Sequence, residues 1–217
     1  MKITLTVNFH VLHCEGADSL ESQIKNFTLL GYDELEIISC FMTKGFEYSC
    51  MKKRVLALKK LFRKITFTKP FLHAHFIGNF IISGKKRIND FARFLISEYI
   101  LDFSTKYLFV GHGLKDSKNR EYHALEKRIQ QYGFTNVKIA LLQGEGSEID
   151  KISFDNDEVK KIILIPLLIN LGKHAQNDIL GEKNSLASNL EKRGFSVERQ
   201  FSCLGMNQRF KKEYLNE

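Results

Sequence analysis

The fold is decided by the run Ile162-Ile163-Leu164-Ile165-Pro166-Leu167-Leu168-Ile169, which ends shortly before Gly172-Lys173-His174. An apolar run of this length predicts a strand that is buried on both faces of a parallel sheet. A second run, Tyr107-Leu108-Phe109-Val110, likewise breaks at a histidine between glycines, Gly111-His112-Gly113. If both strands lie parallel in one open sheet, the imidazoles of His112 and His174 project into the crevice at its carboxyl edge, where α/β proteins bind ligands.

Strand and helix patterns alternate along most of the chain. Apolar runs predict strands near residues 3–8, 34–40, 71–77, 106–111, 137–142, 161–169 and 196–200. Helical periodicity predicts helices over residues 18–30, 51–64, 88–99, 121–132 and 185–193, the first opened by a capping box from Asp18 to Glu21. Such alternation is typical of an α/β fold with mostly parallel sheets.

The two halves of the chain have similar patterns at an offset of 102 residues. This offset pairs His10 with His112 and Gly31 with Gly133. We therefore predict two similar α/β lobes, residues 1–104 and 105–217, with a ligand cleft between them. The alternative is that any two β-α-β units share this pattern, because most of the matches are apolar for apolar.

The amino-acid composition of the chain restricts the classes of partner that it can bind. The net charge of +8 favours anionic ligands. The basic stretch 51–64 could bind nucleic acid or a membrane surface, but aromatic residues do not alternate with its charges. We favour a solvated basic face and expect no nucleic-acid partner. No apolar run approaches the roughly 20 residues of a bilayer span, so we expect no membrane partner either.

The N-terminal residues and the spacing of the cysteines predict the cellular compartment of the protein. The opening alternates like a strand and has no small-residue cleavage site after it, so no export signal is expected. The four cysteines lack C-x-x-C spacing. Free thiols in the cytoplasm are the plain interpretation.

Metal binding is one interpretation of the paired histidines. Gln143 follows the strand predicted at 137–142 and stands midway between His112 and His174. Two imidazoles from separate strands can hold a late first-row metal and leave coordination positions open. The glycines beside His112 suggest that something approaches the backbone closely. The alternative is that each histidine is hydrogen bonded or solvent-facing in an ordinary turn.

A family resemblance narrows these alternatives. The first part of it is Val110-Gly111-His112-Gly113 with Tyr122, Leu125 and Gln143-Gly144. The second is Gly172-Lys173-His174-Ala175-Gln176-Asn177-Asp178-Ile179-Leu180-Gly181, which looks like a G-D-H-A-x-N-D-M-x-G element. From Lys106 onward the chain resembles the anaerobic-type sirohydrochlorin cobaltochelatases, the class II tetrapyrrole chelatases.

The resemblance implies a fold, a reaction and roles for residues. The fold is two α/β lobes with a tetrapyrrole cleft, and some self-association is expected. The reaction is insertion of a divalent metal, typically cobalt, with nickel or iron as alternatives, into sirohydrochlorin during cobalamin biosynthesis. It uses no organic cofactor. His112 and His174 are implied to hold the metal and to help remove pyrrole protons.

The chain departs from the family at three places. Gln143 stands where a glutamate is expected, and a glutamine cannot accept a proton. Gly84-Lys85-Lys86-Arg87 replaces G-E-E-Y, and Asn8-Phe9-His10-Val11 replaces S-F-G-T. We therefore expect substrate contacts from Lys86, His10, Gly111 and Gly113, the last two flanking His112.

Two hypotheses follow. In the first, the protein is an enzyme in which His112, His174 and Gln143 act with Glu145 as a substitute carboxylate, since Glu145 would face the same way as Gln143 in extended backbone. His10, or the pair His73 and His75, could add ligands, although a strand face in a partly polar cleft is the favoured interpretation of the pair. In the second, the protein is a non-catalytic homologue that binds a metal or a metallated tetrapyrrole.

Overall fold

The computed structural model of the chain describes residues 1–77, 80–100, 102–115, 117–146, 161–170, 172 and 174–215. For Phe9, His10, His174, Ala175 and Leu215 it describes the backbone only. The chain forms two compact units, Met1–His73 and Ala74–Glu217. In the described part of the chain, no helix has the length and apolar character needed to cross a membrane.

The first unit is a small parallel sheet covered by helices. Its strands, β1 (Lys2–Val7), β2 (Glu34–Ser39) and β3 (Lys64–Phe67), lie in the order β1-β2-β3 and are parallel. Its helices are α1 (Phe9–His13), α2 (Leu20–Leu29) and α3 (Phe46–Ala57). Alternate residues of β2 are buried, and Leu35 and Ile37 pack in one core with Ile24 of α2 and Met51 of α3. Burial of this apolar face holds the unit together.

The described residues of the second unit form a hairpin, a four-stranded parallel sheet and four α-helices. The hairpin is formed by β4 (His75–Ile77) and β5 (Phe80–Ser83). The sheet has the order β7-β6-β8-β9, made of β6 (Lys106–Gly113), β7 (Val137–Gln143), β8 (Lys161–Pro166) and β9 (Ser196–Arg199). The helices are α4 (Lys85–Tyr99), α5 (Arg120–Gln131), α6 (Leu186–Lys192) and α7 (Gln208–Phe210).

The central strands have the burial that their sequences predict. In β6 the four residues from Tyr107 to Val110 are all 0% exposed. In β8 every residue after Lys161 is buried. Strands buried on both faces are typical of parallel sheets between helices. The prediction of an α/β fold with mostly parallel sheets is confirmed.

Several element bounds differ from the sequence predictions. The helix predicted at 51–64 begins at Phe46 and ends at Ala57, and the chain then forms the strand β3, whose four residues were too few to show a period. Only His75–Ile77 of the strand predicted at 71–77 is extended. The predicted capping box from Asp18 is wrong, because the Ser19 side chain caps α2 by accepting a hydrogen bond from the backbone N–H of Ser22.

The compact units divide earlier in the chain than the predicted lobe boundary at residues 104 and 105. The reason is the packing of α4, which carries Phe91 and Phe94 on its buried face. Their ring centroids lie 6.2 and 5.8 Å from that of Phe210, near the end of the chain. This aromatic cluster, together with the contact between α4 and α5, places residues 74–104 in the second unit.

We predict that Phe210→Ala destabilises the protein by about 3–5 kcal/mol, because it leaves a cavity in this aromatic cluster. Phe210 is 0% exposed and its ring stacks on Tyr214 at 5.1 Å. Urea unfolding measures the change as a shift in midpoint at unchanged slope. Phe201→Ala is the matched control, since Phe201 is 64% exposed and its loss should change stability by less than about 0.5 kcal/mol. Equal midpoint shifts in the two variants would contradict the prediction.

Candidate functional site

The carboxyl edge of the second sheet holds the predicted site segments of His112 and Gln143, and the segment of His174 follows the neighbouring strand. β6 is hydrogen bonded to β7 on one side and to β8 on the other, and all three strands are parallel. His112 is the penultimate residue of β6, and Gln143 is the last residue of β7. His174 begins a π-helical segment, His174–Ile179, that follows β8. The expected convergence of three strand ends is therefore present in the backbone, while the His174 side chain lies outside what the structure describes.

The ring of His112 is held by the backbone of the next residue. Its Nδ1 lies 3.0 Å from the carbonyl oxygen of Gly113. When Nδ1 carries the proton it donates to this carbonyl, and that tautomer places the lone pair on Nε2. Histidines that bind metals commonly donate their second ring N–H to a carbonyl in this way. The side chain is half-buried at the end of its strand.

The glycines on either side of His112 are required by the protein's own packing. A Cβ at Gly111 would lie 2.7 Å from a ring carbon of Tyr122. Gly113 has φ +71°, and a Cβ there would lie 2.2 Å from the backbone oxygen of Gln143. The close approach predicted from the glycines is thus made by α5 and β7. Substrate contacts at Gly111 and Gly113 stay a prediction.

Asn119 fastens the loop after β6 to the loop after β7. It is 1% exposed, and its Oδ1 accepts a hydrogen bond from the backbone N–H of Leu114 at 2.9 Å. Its Nδ2 donates to the backbone oxygens of Gln143 at 3.1 Å and Glu145 at 3.0 Å. The sequence analysis did not single out Asn119, although an asparagine just before a helical pattern is a recognised capping signal.

The argument that placed Glu145 on the same side as Gln143 is wrong. It assumed extended backbone, but β7 ends at Gln143 and Gly144 has φ +78°, which breaks the alternation of side chains. The Glu145 side chain is exposed and lines a cavity beside the loop. A role for Glu145 as a substitute carboxylate stays a prediction that this alternation no longer supports.

That cavity has a volume of about 720 Å³ and lies between α4, α5 and the β4–β5 hairpin. Its lining is apolar on one side and basic on another. The lining residues are Phe76, Phe80, Ile81, Lys85, Ile88, Asn89, Lys118, Arg120, His123, Ala124, Lys127, Arg128, Gln131 and Glu145. Small-molecule sites have volumes of roughly 300–1,000 Å³, so the cavity is large enough for one.

The other predicted site residues lie in different settings. Lys86 projects into solvent, with its side chain 91% exposed, and pairs with Asp90 at 2.7 Å, whereas its neighbour Lys85 lines the cavity. His75 is exposed on β4 and His73 is half-buried. The backbone of His10 lies in α1, and its side chain falls outside the described residues.

Two side chains at the start of α5 have pKa values raised by burial. Burial raises the pKa of the Glu121 carboxyl, and the nearby charges of Arg120 and His75 partly oppose this rise. Burial also raises the pKa of the neighbouring Tyr122 phenol. Across the described residues, no group of three or more histidine, cysteine, aspartate or glutamate side chains is arranged to hold a metal ion. This result does not include the His174 side chain.

Comparison with known proteins gives one family and several relatives. Residues 15–217 match the model of the family described as cobalt chelatase (CbiK). The chain is 24% identical over 158 residues to the sirohydrochlorin cobaltochelatase of Salmonella typhimurium strain LT2. That alignment covers 70% of this chain and 54% of the Salmonella protein, so the chain spans about half the length of that relative.

Two solved structures share the fold. One is CbiX, described as the terminal enzyme for biosynthesis of siroheme in denitrifying bacteria, with 18% identity, a TM-score of 0.50 and coverage of 85% of this chain and 76% of CbiX. The other is SirB from Bacillus subtilis with Fe³⁺, with 15% identity, a TM-score of 0.56 and coverage of 91% of this chain and 75% of SirB. At these identities the likeness concerns the fold alone, and it confirms the prediction of a chelatase-like α/β fold.

The family match extends over nearly the whole chain, including the segments around His112, Gln143 and His174. It confirms the resemblance to the class II chelatases that those segments indicated. The chain belongs to the cobalt chelatase (CbiK) family.

Proposed function

We propose that this protein inserts a divalent metal into sirohydrochlorin, with Co²⁺ as the metal and cobalamin biosynthesis as the process. The observation that carries the proposal is the parallel order β7-β6-β8, in which Gln143 ends β7, His112 lies at the end of β6, and the segment that begins at His174 follows β8 in the chain. Family membership supports the reaction class. Ni²⁺ and Fe²⁺ are the alternative metals, since imidazole binds all three and availability decides among them.

In this proposal the metal is a substrate held by imidazoles. His112 and His174 bind Co²⁺ as neutral ligands and leave positions open for the ring nitrogens. The hydrogen bond from Nδ1 of His112 to the Gly113 carbonyl orients the ring for coordination through Nε2. No organic cofactor takes part.

The reaction replaces two pyrrole protons by one dication, so two protons must leave the site. His112 and His174 accept them in turn and pass them to solvent as the metal moves to the ring. Gln143 supplies an amide that orients a water molecule or a ring nitrogen, and Glu145 supplies a nearby carboxylate. Gly111, Gly113, His10 and Lys86 contact the macrocycle in this proposal.

The second candidate function is binding without turnover. The observation that favours it is Gln143, since an amide neither accepts a proton nor neutralises a dication. A missing positioned base typically lowers a rate by about 10²- to 10⁴-fold. In this case the protein holds a metal or a metallated tetrapyrrole.

We place the protein in the cytoplasm, with no nucleic-acid or membrane partner and with self-association of the chain. The four cysteines are scattered along the sequence without C-x-x-C spacing, which supports a reducing compartment.

We predict that the purified protein inserts Co²⁺ into sirohydrochlorin faster than the spontaneous reaction, and that His112→Ala lowers the rate by about 10²-fold or more. The reason is that one side chain supplies both a metal ligand and a proton acceptor. The absorbance change of the macrocycle follows the reaction. His13→Ala is the control, because His13 is an exposed histidine at the end of α1 and is not among the predicted site residues. A wild-type rate equal to the spontaneous one would exclude the enzyme and leave the binding protein.

We predict that Gln143→Glu raises the insertion rate or the affinity for Co²⁺, because it adds a proton acceptor and a negative charge beside the metal. Initial rates and metal titrations measure the two effects separately. Gln208→Glu adds the same charge to an exposed residue of α7 and should change neither. If both variants behave like the wild type, the amide at position 143 is not what limits the reaction.

A further inference from the structure

The cavity between α4, α5 and the hairpin has a basic wall made mostly by one helix. Positions 120, 123, 124, 127, 128 and 131 of α5 line it, a spacing that covers a single helical face. The opposite face of α5 carries Tyr122, Leu125 and Ile129, which are buried. The helix therefore packs on the protein core with one face and presents Arg120, Lys127 and Arg128 to the cavity with the other.

Two further cations complete the basic wall. Lys85 comes from the first turn of α4, and Lys118 comes from the loop before α5. Within the described lining, the carboxylate of Glu145 is the single acidic group beside these five cations. Arg128 also lies over the ring of Tyr132, 6.0 Å from its centroid. The cavity thus has a concentrated positive charge on a concave surface, where anions accumulate.

The ion pairs between described residues do not neutralise this wall. They include exposed cations elsewhere, such as Lys86 with Asp90 and Lys161 with Glu198. They do not include Lys85, Lys118, Arg120 or Lys127.

Of the two acids of α5, Glu121 lies beside Arg120, whereas Glu126 is directed toward β7. Glu126 accepts a hydrogen bond from the backbone N–H of Ile139 at 2.6 Å and approaches Lys138 at 3.9 Å, both on β7. Cations crowded on one helical face repel one another, and a bound polyanion would relieve that repulsion.

The rest of the cavity is apolar. Its other lining side chains include Phe76, Phe80 and Ile81 from the hairpin and Ile88 and Ala124 from the helices. Phe80 is 77% exposed, so its ring adds accessible apolar surface to the cavity lining. A small inorganic anion would use only the basic wall. The two walls together fit a ligand with an apolar body and several anionic groups.

The cavity adjoins the proposed reaction site through one loop. Glu145 lines the cavity and lies two residues after Gln143. Lys118 and Arg120 flank Asn119, whose amide bonds the backbone oxygens of both Gln143 and Glu145. A group bound by these cations is therefore held next to the carboxyl edge of the sheet.

We propose that this cavity binds the carboxylate-bearing edge of a tetrapyrrole polycarboxylate. The inference rests on the proposed function for the identity of the macrocycle. Arg120 and Arg128 can bind carboxylates through paired N–H groups, and the lysines act as point charges. The apolar wall covers the hydrocarbon edge of the ring. Lys85, which lines the cavity, then meets the substrate in addition to the predicted Lys86.

The test uses uroporphyrin, a metal-free porphyrin with eight carboxylates, as the probe. Quenching of its fluorescence by the full-length protein gives a dissociation constant without any metal insertion. Coproporphyrin with four carboxylates and protoporphyrin with two are the comparison ligands. We expect affinity to fall in that order, and uroporphyrin binding to weaken with salt, because screening shortens the reach of the cations.

Variants locate the bound carboxylates. Lys118→Gln, Arg120→Gln and Lys127→Gln should each weaken uroporphyrin binding by about two- to fivefold. The triple variant should weaken it on the order of tenfold or more and affect protoporphyrin less. Lys192→Gln is the control, since Lys192 is exposed on α6 and lies outside the cavity lining. Lys127 is exposed, so its variant keeps the test valid if Arg120→Gln fails to fold.

The outcomes separate this inference from the proposed function. If cavity variants weaken uroporphyrin binding but wild-type protein shows no cobalt insertion, the cavity assignment stands and the enzyme proposal fails. If the wild type inserts cobalt but the triple variant binds uroporphyrin like the Lys192→Gln control, the cavity assignment is overturned alone. Failure of wild-type protein to bind uroporphyrin would also overturn it.

Discussion

The close approach of β6 and β7 at Gly113 and Gln143 is the constraint on which the candidate site depends. These residues are paired in register, and only a residue without a Cβ fits at position 113, where φ is +71° and the Gln143 carbonyl is adjacent. The buried amide of Asn119 then fastens the two following loops with three hydrogen bonds. These hydrogen bonds join part-buried groups of both loops, so they favour one arrangement of the loops. The positions of His112 and Gln143 follow from that arrangement.

α5 connects this edge to the basic cavity. Its apolar face is buried beside the sheet, its first turn follows Asn119, and its basic face lines the cavity. A single helix thereby sets the distance between the histidine edge and the cations. In the two proposals, α5 joins the cations that bind the ligand to the strand ends that hold the metal, and a rigid helix in this place favours precise positioning of a bound macrocycle.

Much of the fold could be predicted from the sequence, because the decisive signals were local. The apolar runs at 107–110 and 162–169 contain the buried parallel strands β6 and β8, and His112 at the end of β6 marks the edge. The Asn119 contacts could not be predicted, because they join residues 24 and 26 positions apart. The cavity depends on packing between α4, α5 and a hairpin whose strand β5 has only four residues. The side of the strand on which Glu145 lies could not be predicted, because Gly144 has a positive φ. This conformation ends the alternation of side chains that the prediction assumed.

The replacement of the family glutamate by Gln143 makes metal binding by the two histidines the central claim. The most direct measurement is X-ray absorption spectroscopy of the full-length protein loaded with one equivalent of Co²⁺. We predict two imidazole nitrogens in the first coordination sphere, at about the 2.0–2.1 Å typical of imidazole ligands to such metals. In each of the variants His112→Ala and His174→Ala, one imidazole nitrogen should remain in the first coordination sphere. A wild-type spectrum with one imidazole or none would contradict the account.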